Sequence, residues 1–108
     1  MIVRTKGGIT DLSQLTDKLY PIGRFTVHPK LEGGHKLLIG KWVLSHTETG
    51  TSLGDFNSKA DAFGCAHTLE SLRWPDNIFD LKGNRAFRRA TTAIIKYHNG
   101  TPTAKEEA

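Results

Sequence analysis

Two hydrophobic periods divide the chain into strand-like and helix-like segments. Between residues 23 and 56, apolar and polar side chains alternate in several short stretches, which is the period of a β-strand with one buried face. Pro29 and the pair Thr49-Gly50 fall between these stretches, where turns are expected. Gly40 lies inside one of them and indicates a bulge or kink. The pattern predicts three antiparallel strands at about residues 23–28, 36–47 and 51–56.

The main helix is predicted to follow the third strand, over about residues 59–72. Ser58 is a suitable N-cap with Asp61 three residues later, and Pro75 disfavours helical geometry at Trp74. Gly64 weakens this helix and suggests a close backbone contact there. One arc collects apolar residues, namely Ala62, Cys65, Ala66, Leu69 and Leu72. We expect this arc to cover an inner sheet face made of Phe25, Val27, Trp42, Leu44 and Phe56.

Two further helices are predicted near the ends of the chain. Leu12, Leu15 and Leu19 recur at helical spacing and predict a short N-terminal helix that Pro21 stops. A C-terminal helix should begin after Asn84 and end at Asn99-Gly100. The predicted fold class is therefore α+β: a three-stranded antiparallel sheet packed against one main helix, with a short N-terminal helix and a C-terminal basic amphipathic helix. We expect residues 1–100 to form a single compact domain and residues 101–108 a mobile polar tail.

The C-terminal helix carries the clearest functional indication. A helical wheel places an apolar arc on one side, formed by Ala86, Phe87, Ala90, Ala93, Ile94 and Tyr97. The opposite arc holds Arg85, Arg88, Arg89, Thr92 and Lys96, and Lys82 comes just before it. No acidic residue lies between Asp80 and the tail to pair with this stripe along the helix. Such a stripe suits a phosphate backbone, although a solvated helix face has the same composition.

Charge and size define the classes of partner. The chain has 108 residues, a net charge of +4 and a pI near 9.4, which permits a polyanionic partner. The first hypothesis is a small cytoplasmic nucleic-acid-binding or regulatory accessory protein, with duplex DNA as its ligand. Its contacts would be the basic helix, with Arg24 and Lys41 as additions and Trp74 as a stacking or anchoring residue. The alternative is a protein-interaction module, an adaptor or inhibitor of the phage or plasmid accessory type, that binds an acidic protein surface.

The outer sheet face gives a second candidate surface. It should present Arg24, Thr26, His28 and Lys41, together with Lys36 and Ser45, and a β-ribbon fits the DNA major groove. Residues 42–62 combine a Trp-containing strand, a Thr-Gly turn, a Gly-Asp-Phe strand end and an Ala-rich helix. This segment resembles the arm-binding domains of phage integrases and the plant ethylene-response type of DNA-binding domain. Val43 and Glu48 stand where those families carry dense Arg and Lys, so no residue role is carried over.

Catalytic and metal-binding patterns are scarce. The five histidines show no paired metal spacing, and no Gly-rich phosphate loop is present. Cys65 falls on the apolar arc of the main helix, which predicts a buried and inert thiol. We therefore predict no cofactor, no metal and no enzyme activity.

A single cysteine excludes an intrachain disulfide and fits a reducing cytoplasm. No apolar run approaches the roughly 18 residues of a membrane span, and the N-terminus lacks the apolar core of a signal peptide.

Overall fold

The computed structural model describes residues 2–5, 8–32, 36–72 and 85–103, and it has an α+β fold. The main sheet contains five antiparallel strands in the order β3-β4-β5-β6-β7. They are β3 (Tyr20–Ile22), β4 (Phe25–Glu32), β5 (Lys36–His46), β6 (Ser52–Phe56) and β7 (Thr101–Pro102). Strands β1 (Ile2–Thr5) and β2 (Gly8–Asp11) form a separate antiparallel hairpin. The helices are α1 (Lys59–Glu70) and α2 (Arg85–Tyr97).

The prediction of a three-stranded sheet was wrong, because two short edge strands complete it. Strand β3 pairs with β4 across a turn at Gly23, whose φ of 57° favours glycine. Strand β7 pairs with Gly54 and Asp55 of β6, and the Thr103 N–H donates to the Leu53 carbonyl at 3.1 Å. Strands of two or three residues are too short to show an alternating pattern. Residues 101–102, which the sequence assigned to a polar tail, therefore belong to the sheet edge.

The predicted N-terminal helix was also wrong. Only one 3₁₀ turn forms, over Leu12–Gln14, and Asp11 caps it by accepting hydrogen bonds from the Ser13 N–H and hydroxyl. Leu12 is fully buried, whereas Leu15 is exposed, so the leucine spacing does not define one buried helix face. Pro21 lies in β3, an edge strand, where a missing N–H is tolerated.

The core confirms the predicted inner faces of the sheet and of the main helix. Its buried members include Phe25, Val27, Leu44 and Phe56 from the sheet and Ala62, Cys65, Ala66 and Leu69 from α1. Trp42 and Leu72 are half-buried and pack against this cluster. The small residues of α1 let the helix approach the sheet closely, and Ser58 caps it by accepting from the Asp61 N–H at 3.4 Å.

The close backbone contact predicted at Gly64 is present, and it is made with the end of α2. A Cβ atom at this position would lie 3.2 Å from Nδ1 of His98, which follows the last residue of α2. The same imidazole reaches α1 again, because its Nε2 lies 3.0 Å from the Thr68 hydroxyl. The two helices therefore meet through a glycine and one polar contact.

The Cys65 thiol is buried, as predicted, and burial raises its pKa to about 12. We expect the native protein to react with Ellman's reagent only as fast as it unfolds, because the thiolate is the reacting species. The measurement is the rate of colour release in buffer and in guanidinium chloride, where reaction should be rapid. Fast stoichiometric reaction of the native protein would contradict the buried position.

Neither α1 nor α2 is long and apolar enough to cross a membrane.

Candidate nucleic-acid interface

Helix α2 packs on the sheet through a different face from the one that the hydrophobic pattern predicted. Among residues 88–97, whose side chains the structure describes, Thr91 and Ile95 are buried and Ile94 is half-buried against the core, while Ala90 and Ala93 of the predicted apolar arc are exposed. Tyr97, from the same arc, is 83% exposed, and Ile95 is only 3% exposed. Ile95, which a helical wheel places beside the basic stripe, is therefore a core residue and cannot serve as an exposed interface anchor.

Two glycines explain this rotation of α2. A Cβ at Gly54 would lie 3.0 Å from Cγ2 of Ile95, and one at Gly100 would lie 2.8 Å from the same methyl carbon. Gly54 on β6 and Gly100 after α2 thus leave a notch that the Ile95 side chain fills. The close packing of Ile95 in this notch stabilises the observed orientation more than burial of the predicted apolar arc would, because a buried side chain is stabilised by its close contacts.

The C-terminus of α2 is fixed by a Schellman motif. The Gly100 N–H donates to the Ile95 carbonyl at 2.8 Å, and the Asn99 N–H donates to the Lys96 carbonyl at 3.0 Å. Asn99 adopts the left-handed conformation with φ of 63° that this cap requires. The predicted stop at Asn99-Gly100 is confirmed. This cap joins α2 directly to β7 and so fixes which side chains of the helix face outward.

Within residues 88–97, the outward face of α2 carries two exposed cations and one exposed aromatic side chain. Arg89 and Lys96 are exposed, and Tyr97 projects beside them with the exposed Ala93 between. At 100° per residue these four positions span one continuous arc of the helix. Arg88 and Thr92, which we placed on the same stripe, are half-buried at its border. The exposed arc therefore combines positive charge with a ring that can stack.

The other predicted binding residues do not join this arc. The Arg24 side chain forms an ion pair with Glu70, with 3.4 Å between Nε and Oε2, and the Arg24 N–H also donates to Glu70. The Lys41 ammonium donates to the Asn57 side-chain carbonyl. Both side chains are thus held by neighbours at separate places on the sheet. Trp74, Lys82 and the side chain of Arg85 lie outside the described residues.

A two-stranded arm extends from the sheet at β4 and β5. Lys30, Leu31 and Glu32 pair with Leu38, Leu37 and Lys36 respectively. Residues 39–41 then have no partner in β4, and Gly40 has a φ of 78°, which confirms the bulge predicted at this glycine. Ile39 is completely exposed on the bulge, at 102%. The hydrophobic pattern of the strand did not predict the exposure of Ile39, because this exposure results from the register shift at the bulge.

The arm and the end of α2 lie at the same end of the sheet. Lys30 at the base of the arm binds the Asp55 carboxylate at 2.5 Å. Asp55 is also the register partner of Thr101, which follows α2 after its cap. Lys36 and Lys41 on the arm and Lys96 near the end of α2 therefore belong to this end of the molecule.

The second sheet face is not the exposed polar surface that we expected. Thr26, His28 and Ser45 are all buried. His28 lies with Nδ1 2.8 Å from the Pro29 carbonyl and Nε2 2.8 Å from the Ser45 hydroxyl. The Thr26 and Thr47 hydroxyls are 2.6 Å apart. The alternation predicted the correct face, but tertiary packing covers it, and a duplex cannot lie on it.

The buried His28–Ser45 pair has the geometry of a base and a nucleophile. A proton on Nδ1, donated to the Pro29 carbonyl, leaves Nε2 to accept from the Ser45 hydroxyl. Burial lowers the pKa of His28, and the Pro29 carbonyl and Asp55 carboxylate oppose that change only in part. The two side chains are only 3% and 1% exposed, so no substrate can reach them. Their hydrogen bond instead pairs two polar groups that are buried in the sheet.

Among the described residues, no group of three histidine, cysteine or acidic side chains is arranged to hold a metal ion.

No family model, curated protein or solved structure matches this chain. The resemblance of residues 42–62 to the integrase and ethylene-response modules is limited to a strand–turn–strand–helix order. The second face of the five-stranded sheet is covered, so it does not offer the exposed β-ribbon that a contact in the major groove would need.

Proposed function

We propose that this protein is a small nucleic-acid-binding accessory protein that contacts the phosphate backbone of duplex DNA through the outward arc of α2. The main support for this proposal is the exposed arc of α2, where Arg89 and Lys96 lie beside the exposed ring of Tyr97. Each cation that neutralises a phosphate releases a condensed counterion, which makes binding favourable and salt-dependent. We also propose that the protein works in the reducing cytoplasm, because its single cysteine is compatible with that compartment.

The surroundings of the arc support this proposal. Ala93 between the cations and Tyr97 adds little bulk, so the helix backbone can come near a ligand. Lys41 keeps its positive charge at the same end of the sheet while it donates to the neutral Asn57 side chain, and the chain as a whole is basic. The Schellman cap and the buried Ile95 hold α2 in one orientation, so the cations are presented on a rigid element.

We expect Arg89→Ala and Lys96→Ala each to weaken duplex binding by a similar factor for all DNA sequences. Each should also make the slope of log K against log salt shallower by about 1, because one phosphate contact is lost. The measurement is fluorescence anisotropy with a labelled duplex between about 50 and 200 mM salt. Lys18→Ala, which removes an exposed cation from the loop before β3, is the matched control and should leave the slope unchanged. Absence of salt-dependent binding by the unaltered protein would refute the proposal.

A protein-interaction module is the second candidate, and the exposure of Tyr97 favours it. An exposed aromatic ring next to cations resembles an interface anchor that docks on an acidic protein surface. Pull-down with the immobilised protein separates the two candidates. A protein captured after nuclease treatment, and lost with Tyr97→Ala, would favour this alternative, whereas copurified nucleic acid and a raised ratio of absorbance at 260 to 280 nm would favour the first.

A further inference from the structure

Three aromatic side chains surround one ammonium group at the β3 side of the sheet. The Lys59 Nζ lies 4.9 Å from the ring centroid of Tyr20, 5.7 Å from that of Trp42 and 5.9 Å from that of Phe63. Tyr20 comes from β3, Trp42 from β5, and Lys59 and Phe63 from successive turns of α1. Rings on a rigid sheet and a capped helix thus form one cationic site, which we name the aromatic box.

The rings of the aromatic box are set at large angles to one another. Tyr20 and Phe63 are nearly perpendicular, with 83° between their planes and 5.4 Å between centroids. Tyr20 and Trp42 are tilted by 55° at 6.2 Å. This arrangement lets more than one ring direct its negative face toward a shared cation, which is how proteins bind quaternary ammonium groups. All three rings are half-buried at the rim of the core, so part of each remains open to solvent.

Lys59 is a weakly held occupant of this box. Its side chain is exposed, and among the described residues no acceptor takes a hydrogen bond from its ammonium and no carboxylate pairs with it. A primary ammonium is strongly hydrated and sits on a flexible four-carbon stem, so it can move into water with little loss. A quaternary ammonium has no N–H group to hydrate and gains more from ring faces.

We propose that Tyr20, Trp42 and Phe63 form a binding site for a quaternary ammonium group, with Lys59 as an intramolecular competitor that occupies it in the absence of ligand. The ligand's trimethylammonium group replaces the Lys59 ammonium between the rings, while the lysine side chain turns to solvent. The site is separate from the outward arc of α2, so it does not depend on nucleic-acid binding.

The test is titration of Lys59→Ala and of the unaltered protein with choline, followed by the aromatic NMR shifts of Tyr20 and Phe63. We expect choline to bind Lys59→Ala at least about tenfold more tightly than the unaltered protein, a difference of about 1.4 kcal/mol. Lys18→Ala has the same net charge as Lys59→Ala and should bind choline like the unaltered protein, which excludes an effect of net charge alone. Sodium chloride at equal ionic strength should cause no saturable shift.

A second variant and a second ligand make the result decisive. Phe63→Leu combined with Lys59→Ala should lose the saturable shifts of Tyr20, because one ring is gone while an apolar side chain remains. Nε-trimethyllysine is the parallel ligand: tighter binding than choline would indicate a modified lysine side chain, and weaker binding a free small molecule. No saturable shift with either ligand in Lys59→Ala, in protein shown to be folded by its amide spectrum, would overturn the proposal.

Discussion

Replacing Ile95 by alanine should lower the free energy of unfolding by about 2–5 kcal/mol. The side chain is 3% exposed and its methyl groups fill the notch formed by Gly54 and Gly100. Truncation would remove buried apolar surface and leave a cavity between α2 and β6, which the backbone around two glycines closes only in part. Urea denaturation followed by circular dichroism measures the change.

Tyr97→Ala is the matched control on the same helix. Tyr97 is 83% exposed, so its loss should change the free energy of unfolding by no more than about 0.5 kcal/mol. The hydrophobic pattern of α2 predicts the reverse order, with Tyr97 buried and Ile95 at the edge of the basic stripe. A larger destabilisation by Tyr97→Ala than by Ile95→Ala would therefore restore the orientation suggested by the pattern and reject the observed one.

Acidification below pH 6.5 should destabilise the fold through its buried imidazoles. Burial lowers the pKa of His28 from its ordinary value of 6.5, and it lowers the pKa of the partly buried His46 in the same direction. The unfolded chain therefore takes up protons near pH 6.5 that the folded chain binds only at lower pH. The stability present above pH 6.5 is lost as the pH falls toward the lowered values, by up to about 1.4 kcal/mol per pH unit for His28, and by less for His46, whose charge solvent screens.

The assignment to His28 can be made with one substitution. His28→Gln should reduce the pH slope of the free energy of unfolding, measured by urea denaturation between about pH 7 and pH 5. Its stability at pH 7 will also fall, since Ser45 loses its buried acceptor, so the slope is the informative quantity. His67→Gln on the exposed side of α1 is the control for losing a histidine. An unaltered slope in His28→Gln would show that other groups cause the acid sensitivity.

The outcome at α2 shows why the candidate site was only partly predictable. The bounds of the helix followed from Asn99-Gly100 and from its composition, and both are local properties. Its rotation did not, because a helical wheel weighs Ala90, Ala93 and Tyr97 together against one Ile95. The deciding contacts are with Gly54, more than thirty positions away in the sequence, and no helical pattern contains them. The exposed Tyr97 became a candidate binding residue only when that contact was known.

The basic residues illustrate the same limit. Arg24 and Lys41 have the charge that a phosphate contact needs, yet the fold gives them Glu70 and Asn57 as neighbours. Lys59 attracted no functional hypothesis from its sequence position, although it lies four residues from Phe63 on one face of α1. The three rings around it come from β3, β5 and α1, and only the packing of the sheet against the helix brings them together.

By itself the sequence determined the α+β class, the inner face of β4, β5 and β6, the start and buried arc of α1, and the end of α2. These depend on alternation, helical spacing and capping, which act between residues close together in the chain. The tertiary structure alone decided the edge strands β3 and β7, the covered second face with His28 and Ser45, the rotation of α2 and the aromatic box. Each of these depends on contacts between distant segments, where shape and burial outweigh local preference.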